Sequence, residues 1–191
     1  MNLLYEPFPE TVTADGQVYR IPTDFREWLR FADMLTDSAL SLTEKAYLCG
    51  KWLSPEPKQI TPGIVEALVG FYRADALHPA PTEPEEDADA EEALPQRPYF
   101  DWSTDAAFVL GDFLRFYRID LLTVRLHWWT FRALFEALPD DSKCMQRIAY
   151  RSADLSGIRD KGERARIAKI QKQIALPFVF DDEAIGEVFN F

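Results

Sequence analysis

The sequence predicts an all-α protein of about six helices in one compact domain, residues 1–191, with a small N-terminal β-hairpin and a disordered acidic, proline-rich insertion. Three observations predict it. Apolar residues recur at helical spacing in several separate runs. Capping residues or prolines open most of those runs. One stretch, 77–99, carries prolines and acids and buries nothing. A chain of 191 residues suits one domain. Its 47% hydrophobic and 14% aromatic content can offset chain entropy, so wholesale disorder is excluded.

The hairpin is expected over 10–22. Thr11-Val12-Thr13-Ala14 and Gln17-Val18-Tyr19-Arg20-Ile21 flank Asp15-Gly16, a pair that tolerates the positive φ of a tight turn. An N-terminal helical part follows over 23–76. Thr23 or Asp24 can cap a helix whose stripe is Phe25, Trp28, Leu29, Ala32 and Leu35, with Met34 off it. Ser41 and Glu44 have the spacing of a capping box, ahead of a face made by Leu42, Ala46, Cys49 and Leu53. Pro55 and Pro57 break the chain. Thr61-Pro62 restarts it, because proline at the first helical position lacks only a hydrogen bond the helix cannot use, and this third helix runs to about Ala74.

Between Leu77 and Pro98 lie five prolines, and seven acids fall between Glu83 and Glu92, so a disordered acidic loop is expected over 77–99. A C-terminal helical part, 100–177, comes next. A helix capped near Ser103 or Thr104 would bury Ala106, Val109, Leu110, Phe113 and Tyr117 and leave Phe108 opposite. Another would bury Trp128, Phe131, Leu134, Phe135 and Leu138, with Trp129 beside Arg132 and Glu136 on its polar face. Pro139-Asp140-Asp141 ends that helix and caps one through Tyr150; a last helix, about Lys161 to Leu176, buries Ile167, Ile170 and Ile174. Residues 178–191 are expected to form a flexible tail, whose Phe178-Val179-Phe180 and Val188-Phe189-Asn190-Phe191 could also add a strand or dock in a groove.

Charge narrows the function classes. A net charge of -11 repels phosphate backbones and anionic headgroups unless the cations are segregated, so nucleic acid is a poor first expectation. No apolar run reaches spanning length, and the first ten residues lack an export signal, so neither membrane nor export is expected. Cys49 and Cys144 are expected to be reduced, buried and structural.

No catalytic residue, cofactor or metal site is expected. Cys144 and His127 are the pair closest to a nucleophile and base, but each falls on an apolar helical face. Two histidines and two cysteines without close spacing do not make a zinc site. Asp140-Asp141 and Asp181-Asp182 read as cap and tail charges rather than an acid/base pair, and no glycine-rich phosphate loop occurs. The chain is read as a binding protein, not an enzyme. One charge pattern stands out: Arg159, Lys161, Arg164, Arg166, Lys169 and Lys172, opposed only by Asp160 and Glu163. It reads as a solvated face, then as a protein contact, then as a nucleic-acid contact through 159–172. The candidate partner-binding residues are Phe108, Trp129, Arg164 and Lys169.

The stretch Asp24-Phe25-Arg26-Glu27-Trp28-Leu29-Arg30-Phe31, then Phe100-Asp101-Trp102 and Asp112-Phe113-Leu114, resemble the bacteriophage gene-product-fifteen family. Ile119-Asp120-Leu121-Leu122, Leu126-His127-Trp128-Trp129-Thr130-Phe131-Arg132-Ala133-Leu134, Tyr150-Arg151-Ser152-Ala153-Asp154-Leu155-Ser156 and Asp160-Lys161-Gly162-Glu163-Arg164-Ala165-Arg166 continue the resemblance, over roughly 12 to 177. It implies a small protein of tailed phages and prophages of Gram-positive bacteria, encoded between the major tail protein and the tape-measure protein. It therefore implies a tail assembly chaperone in the host cytoplasm whose partner is the tape-measure or tail-tube protein. A structural tail component is the alternative. The resemblance brings no catalytic residues with it.

Overall fold

The computed structural model describes residues 4–74, 77 and 99–176. The expected acidic loop, apart from its ends at Leu77 and Tyr99, and the expected tail 178–191 lie outside the described residues. Among those described, one two-stranded hairpin and seven α-helices form a mostly helical protein, one helix more than expected. They fall into two compact units, residues 4–74, 77 and 125–133 in the first and 99–124 with 134–176 in the second.

In the first unit, β1 (Thr11–Ala14) pairs antiparallel with β2 (Gln17–Arg20), Val12 opposite Tyr19. Asp15 and Gly16 both have positive φ, 51° and 76°, the requirement of the turn whose twist suits a two-residue hairpin. Val12, Ala14 and Tyr19 are buried while Val18 is exposed, as strand alternation demands. The turn is fastened to α3 (Pro62–Arg73): the Thr61 hydroxyl donates to the Asp15 carboxylate and accepts from the Ile64 N–H at 3.2 Å. Gly63 leaves room for it: a Cβ there would sit 2.6 Å from Asp15 Oδ1 and push this carboxylate aside.

Helix α1 (Phe25–Thr36) starts on Asp24, whose carboxylate accepts from the Arg26 N–H at 3.0 Å. Its buried arc is wider than the expected stripe. Phe31 and Met34 are buried and Leu29 is only half-buried. The cause is cover from more than one side: the Phe31 ring meets Trp52 at 5.2 Å and Tyr72 at 5.8 Å, while Trp28 meets Phe71 at 4.5 Å. Helix α2 (Leu42–Cys49) has the capping box of Ser41 and Glu44. Its face is rotated from expectation: Leu42, in the first turn, is exposed, and Lys45 is buried on the side of Cys49, as a methylene stem allows.

In the second unit, α4 (Ala106–Asp112) follows Asp105, not a cap at Ser103 or Thr104, and Ala106 is exposed. The chain then widens into a π-helical turn, Phe113–Tyr117, that leaves the Phe113 ring fully buried; the Tyr117 hydroxyl donates to the Leu134 carbonyl at 2.7 Å. Helix α5 (Trp128–Glu136) contributes to both units, up to Ala133 in the first and from Leu134 in the second. Helix α6 (Lys143–Ser152) is capped by Ser142 rather than by Asp140 or Asp141. The buried Asp112 carboxylate assists, accepting from the N–H groups of Lys143 at 3.2 Å and Cys144 at 2.8 Å. Helix α7 (Lys161–Gln173) buries no residue; Ile167, Ile170 and Ile174 are half-buried, not buried as expected. Among the described residues no helix is long and apolar enough to cross a membrane.

Candidate functional site

Four tryptophans of the first unit each spend their indole N–H on a backbone carbonyl. Trp28 donates to Pro22 at 2.7 Å and Trp52 to Glu27 at 3.1 Å. Trp128 donates to Tyr72 at 2.8 Å and Trp129 to Phe71 at 2.9 Å. Phe71 and Tyr72 stand in the last turn of α3, where helix carbonyls run short of intrahelical donors; the Phe71 carbonyl also accepts from the Ala74 N–H at 3.1 Å. The Trp128-Trp129 pair is thus a clasp across the C-terminal end of α3. This overturns the expectation that Trp129 lies on a polar face. It is 5% exposed, because its indole N–H reaches the Phe71 carbonyl from the side opposite the apolar stripe, adding a second donor to the Ala74 N–H.

His127 caps the start of α5. Its Nδ1 accepts from the Trp129 N–H at 3.1 Å and its carbonyl accepts from Phe131 at 3.0 Å. With Nδ1 an acceptor, the proton sits on Nε2, which donates to the Pro9 carbonyl at 3.0 Å. Burial lowers its pKa below 6.5, against opposing effects of that Pro9 bond and the Glu10 charge. The neutral ring is the form this geometry uses.

In the second unit the polar centre is Asp105, 1% exposed. Its Oδ1 accepts from Arg147 Nε and Arg151 Nη2, both at 2.9 Å, and its Oδ2 from Arg151 Nη1. Burial alone would raise this carboxyl; the bonds from Arg151 and then Arg147 outweigh that and hold it below the usual range. Arg151 also donates to the carbonyls of Tyr99 at 3.0 Å and Ile174 at 2.8 Å, tying α6 to the residue after α7. Gln171 of α7 donates in return to the carbonyls of Tyr150 at 2.9 Å and Ala153 at 2.8 Å. Phe108 is half-buried, and the Arg147 guanidinium lies 4.2 Å from its ring centroid, so it is partly screened rather than presented on an open face.

Of the four candidate contact residues, Arg164 and Lys169 are exposed on α7. Lys161, Arg166 and Lys172 are exposed on the same helix, Arg166 bonded to Glu163 at 2.9 Å. The structure brings these cations together, supported through Gln171 and Arg151. Sequence reasoning missed the Asp105 cluster, although Arg147 and Arg151 are four apart on one helix and so share a face.

Burial pushes the Cys49 thiol up to about 11 and raises Cys144 as well, where Asp112 adds to the effect; both thiols are free and buried. Among the described residues no group of three or more His, Cys, Asp or Glu side chains is placed to hold a metal ion.

These features define the class: a mostly helical protein whose polar side chains serve caps and clasps and whose helix α7 carries a run of exposed cations. The chain matches the family model described as Bacteriophage Gp15 protein over residues 4–176, and it belongs to that family. It is a phage-associated protein. No curated protein and no solved structure matches it.

Proposed function

We propose that this phage protein is a tail assembly chaperone, which binds the tape-measure or tail-tube protein in the cytoplasm of the host bacterium and keeps it soluble until the tube forms. The observation that carries this reading is family membership over residues 4–176, taken with the gene position between the major tail protein and the tape measure that the resemblance implies. Tape measures are expected to be long helices with apolar seams that aggregate when uncovered. A cover of net charge -11 keeps such complexes apart. The contact is made through α7, whose cations Arg164 and Lys169 are exposed, with Phe108 a secondary contact at its half-buried ring. The protein acts by binding, without a reaction or a cofactor.

The test expresses the tape measure of the same phage alone and with this protein, and compares its soluble fraction. A rise on co-expression, with the protein absent from purified particles by mass spectrometry, is the expected result. Equal insolubility in both, with the protein abundant in finished tails, would move the reading to a structural tail component.

A further inference from the structure

The N-terminal segment 4–10 runs as a strap over the first unit, and its attachment resembles a bound ligand. The Phe8 ring lies 5.1 Å from His127 and 5.8 Å, edge-on, from Trp129. Beneath it Phe71 meets His127 at 5.8 Å and Trp129 at 5.3 Å, so three rings form a floor and Phe8 the lid. The next residue supplies the polar contact: His127 Nε2 donates to the Pro9 carbonyl. After Glu10, whose carbonyl accepts from Ile21 at 3.0 Å, the chain enters β1. Toward the N-terminus, Leu4 and Tyr5 are exposed at 93% and 77%.

The floor also has contacts that do not involve the strap: Trp129 donates to Phe71 O, and the His127 ring accepts from the Trp129 N–H. What the floor accepts is written in Pro7-Phe8-Pro9: an aromatic ring, an extended backbone whose next carbonyl is an acceptor, and prolines that bring no N–H to satisfy. We propose that Phe71, His127 and Trp129 form a recognition site for an extended, proline-flanked aromatic segment of a partner protein, and that Phe8-Pro9 is its built-in, displaceable occupant. The partner gains the ring contacts and the His127 hydrogen bond that the strap gives up, and the strap competes through its tether.

Full-length Phe8→Ala is titrated with a synthetic peptide of residues 4–10 at neutral pH, followed by calorimetry. Saturable one-to-one binding is expected, about tenfold or more tighter than to the wild-type protein, whose tethered strap competes at a high effective concentration. The same peptide carrying Phe8→Ala should not bind. No saturable binding to the variant, equal binding to wild type, or equal binding of the ring-less peptide would each overturn the proposal. Should Phe8→Ala fail to fold, Phe8→Leu undergoes the same titration under the same criteria, since a smaller apolar side chain weakens the occupant while still covering the floor.

Discussion

The two units are held by different physics. In the first, Trp28, Phe31, Leu68, Trp128 and Phe131 are at most 1% exposed, Phe25 stacks on Phe131 at 4.6 Å and Tyr72 on Trp128 at 5.4 Å. Stability there scales with apolar area removed from water. The second unit has a thinner apolar centre around Val109, Phe113, Leu138 and Cys144, and joins its helices through the carboxylates of Asp105 and Asp112. Such polar joints add little net stability but are costly to break halfway, since a lone buried charge has no water to turn to. A region built on area tolerates graded change, whereas one built on satisfied charge fails by single atoms.

The largest effect expected from this contrast is in the first unit. Trp128→Ala removes a fully buried ring and the donor on Tyr72 O, and should cost about 4 kcal/mol in urea unfolding. A cost below about 1 kcal/mol would show that the aromatic core is not what holds this unit. In the second, Asp105→Ala should cost about 3 kcal/mol by stranding Arg151, itself 5% exposed in its side chain, and Asp105→Asn should cost less because it leaves an acceptor. The sign with pH follows from the depressed carboxyl. Its contribution is complete above the unfolded value of 3.8 and is lost as pH falls through the lower folded value.

Histidine 127 sharpens the comparison at milder pH. Its folded pKa lies below 6.5, so between those values the unfolded chain binds more protons, and stability should decline as pH falls from about 6.5. Thermal melts of wild type and His127→Gln should diverge above that window and converge below it; parallel curves would contradict the capping role. The smallest effect is on α7. Arg164→Ala and Lys169→Ala should each change stability by less than about 0.5 kcal/mol, since both side chains are exposed. A larger loss would make α7 part of the fold rather than a surface.

Much of the fold was legible because it is local. Asp15-Gly16, Ser41 with Glu44 and Thr61-Pro62 carry their structure in adjacent residues, and each forms as those residues dictate. What could not be read depends on partners distant in sequence. Trp129 looked exposed because helical spacing records one stripe, while the carbonyl it serves belongs to Phe71, 58 residues earlier. Asp105 drew no reading from the sequence, because its guanidinium partners lie 42 and 46 residues later. The Trp128-Trp129 motif that carries the family resemblance is therefore first a clasp on α3, which explains why its second tryptophan is buried rather than set on a polar face. The cationic run of α7 was legible as charge and is exposed as charge.

The contact proposed for α7 is tested most directly by one measurement. The double variant Arg164→Glu/Lys169→Glu is co-expressed with the tape-measure protein of the same phage, and its melting temperature is recorded beside the soluble fraction of the tape measure. Melting within about 2 °C of wild type is expected, with the soluble tape measure falling to the level seen without this protein. Unchanged solubility with unchanged melting would contradict it, and would take α7 out of the binding surface.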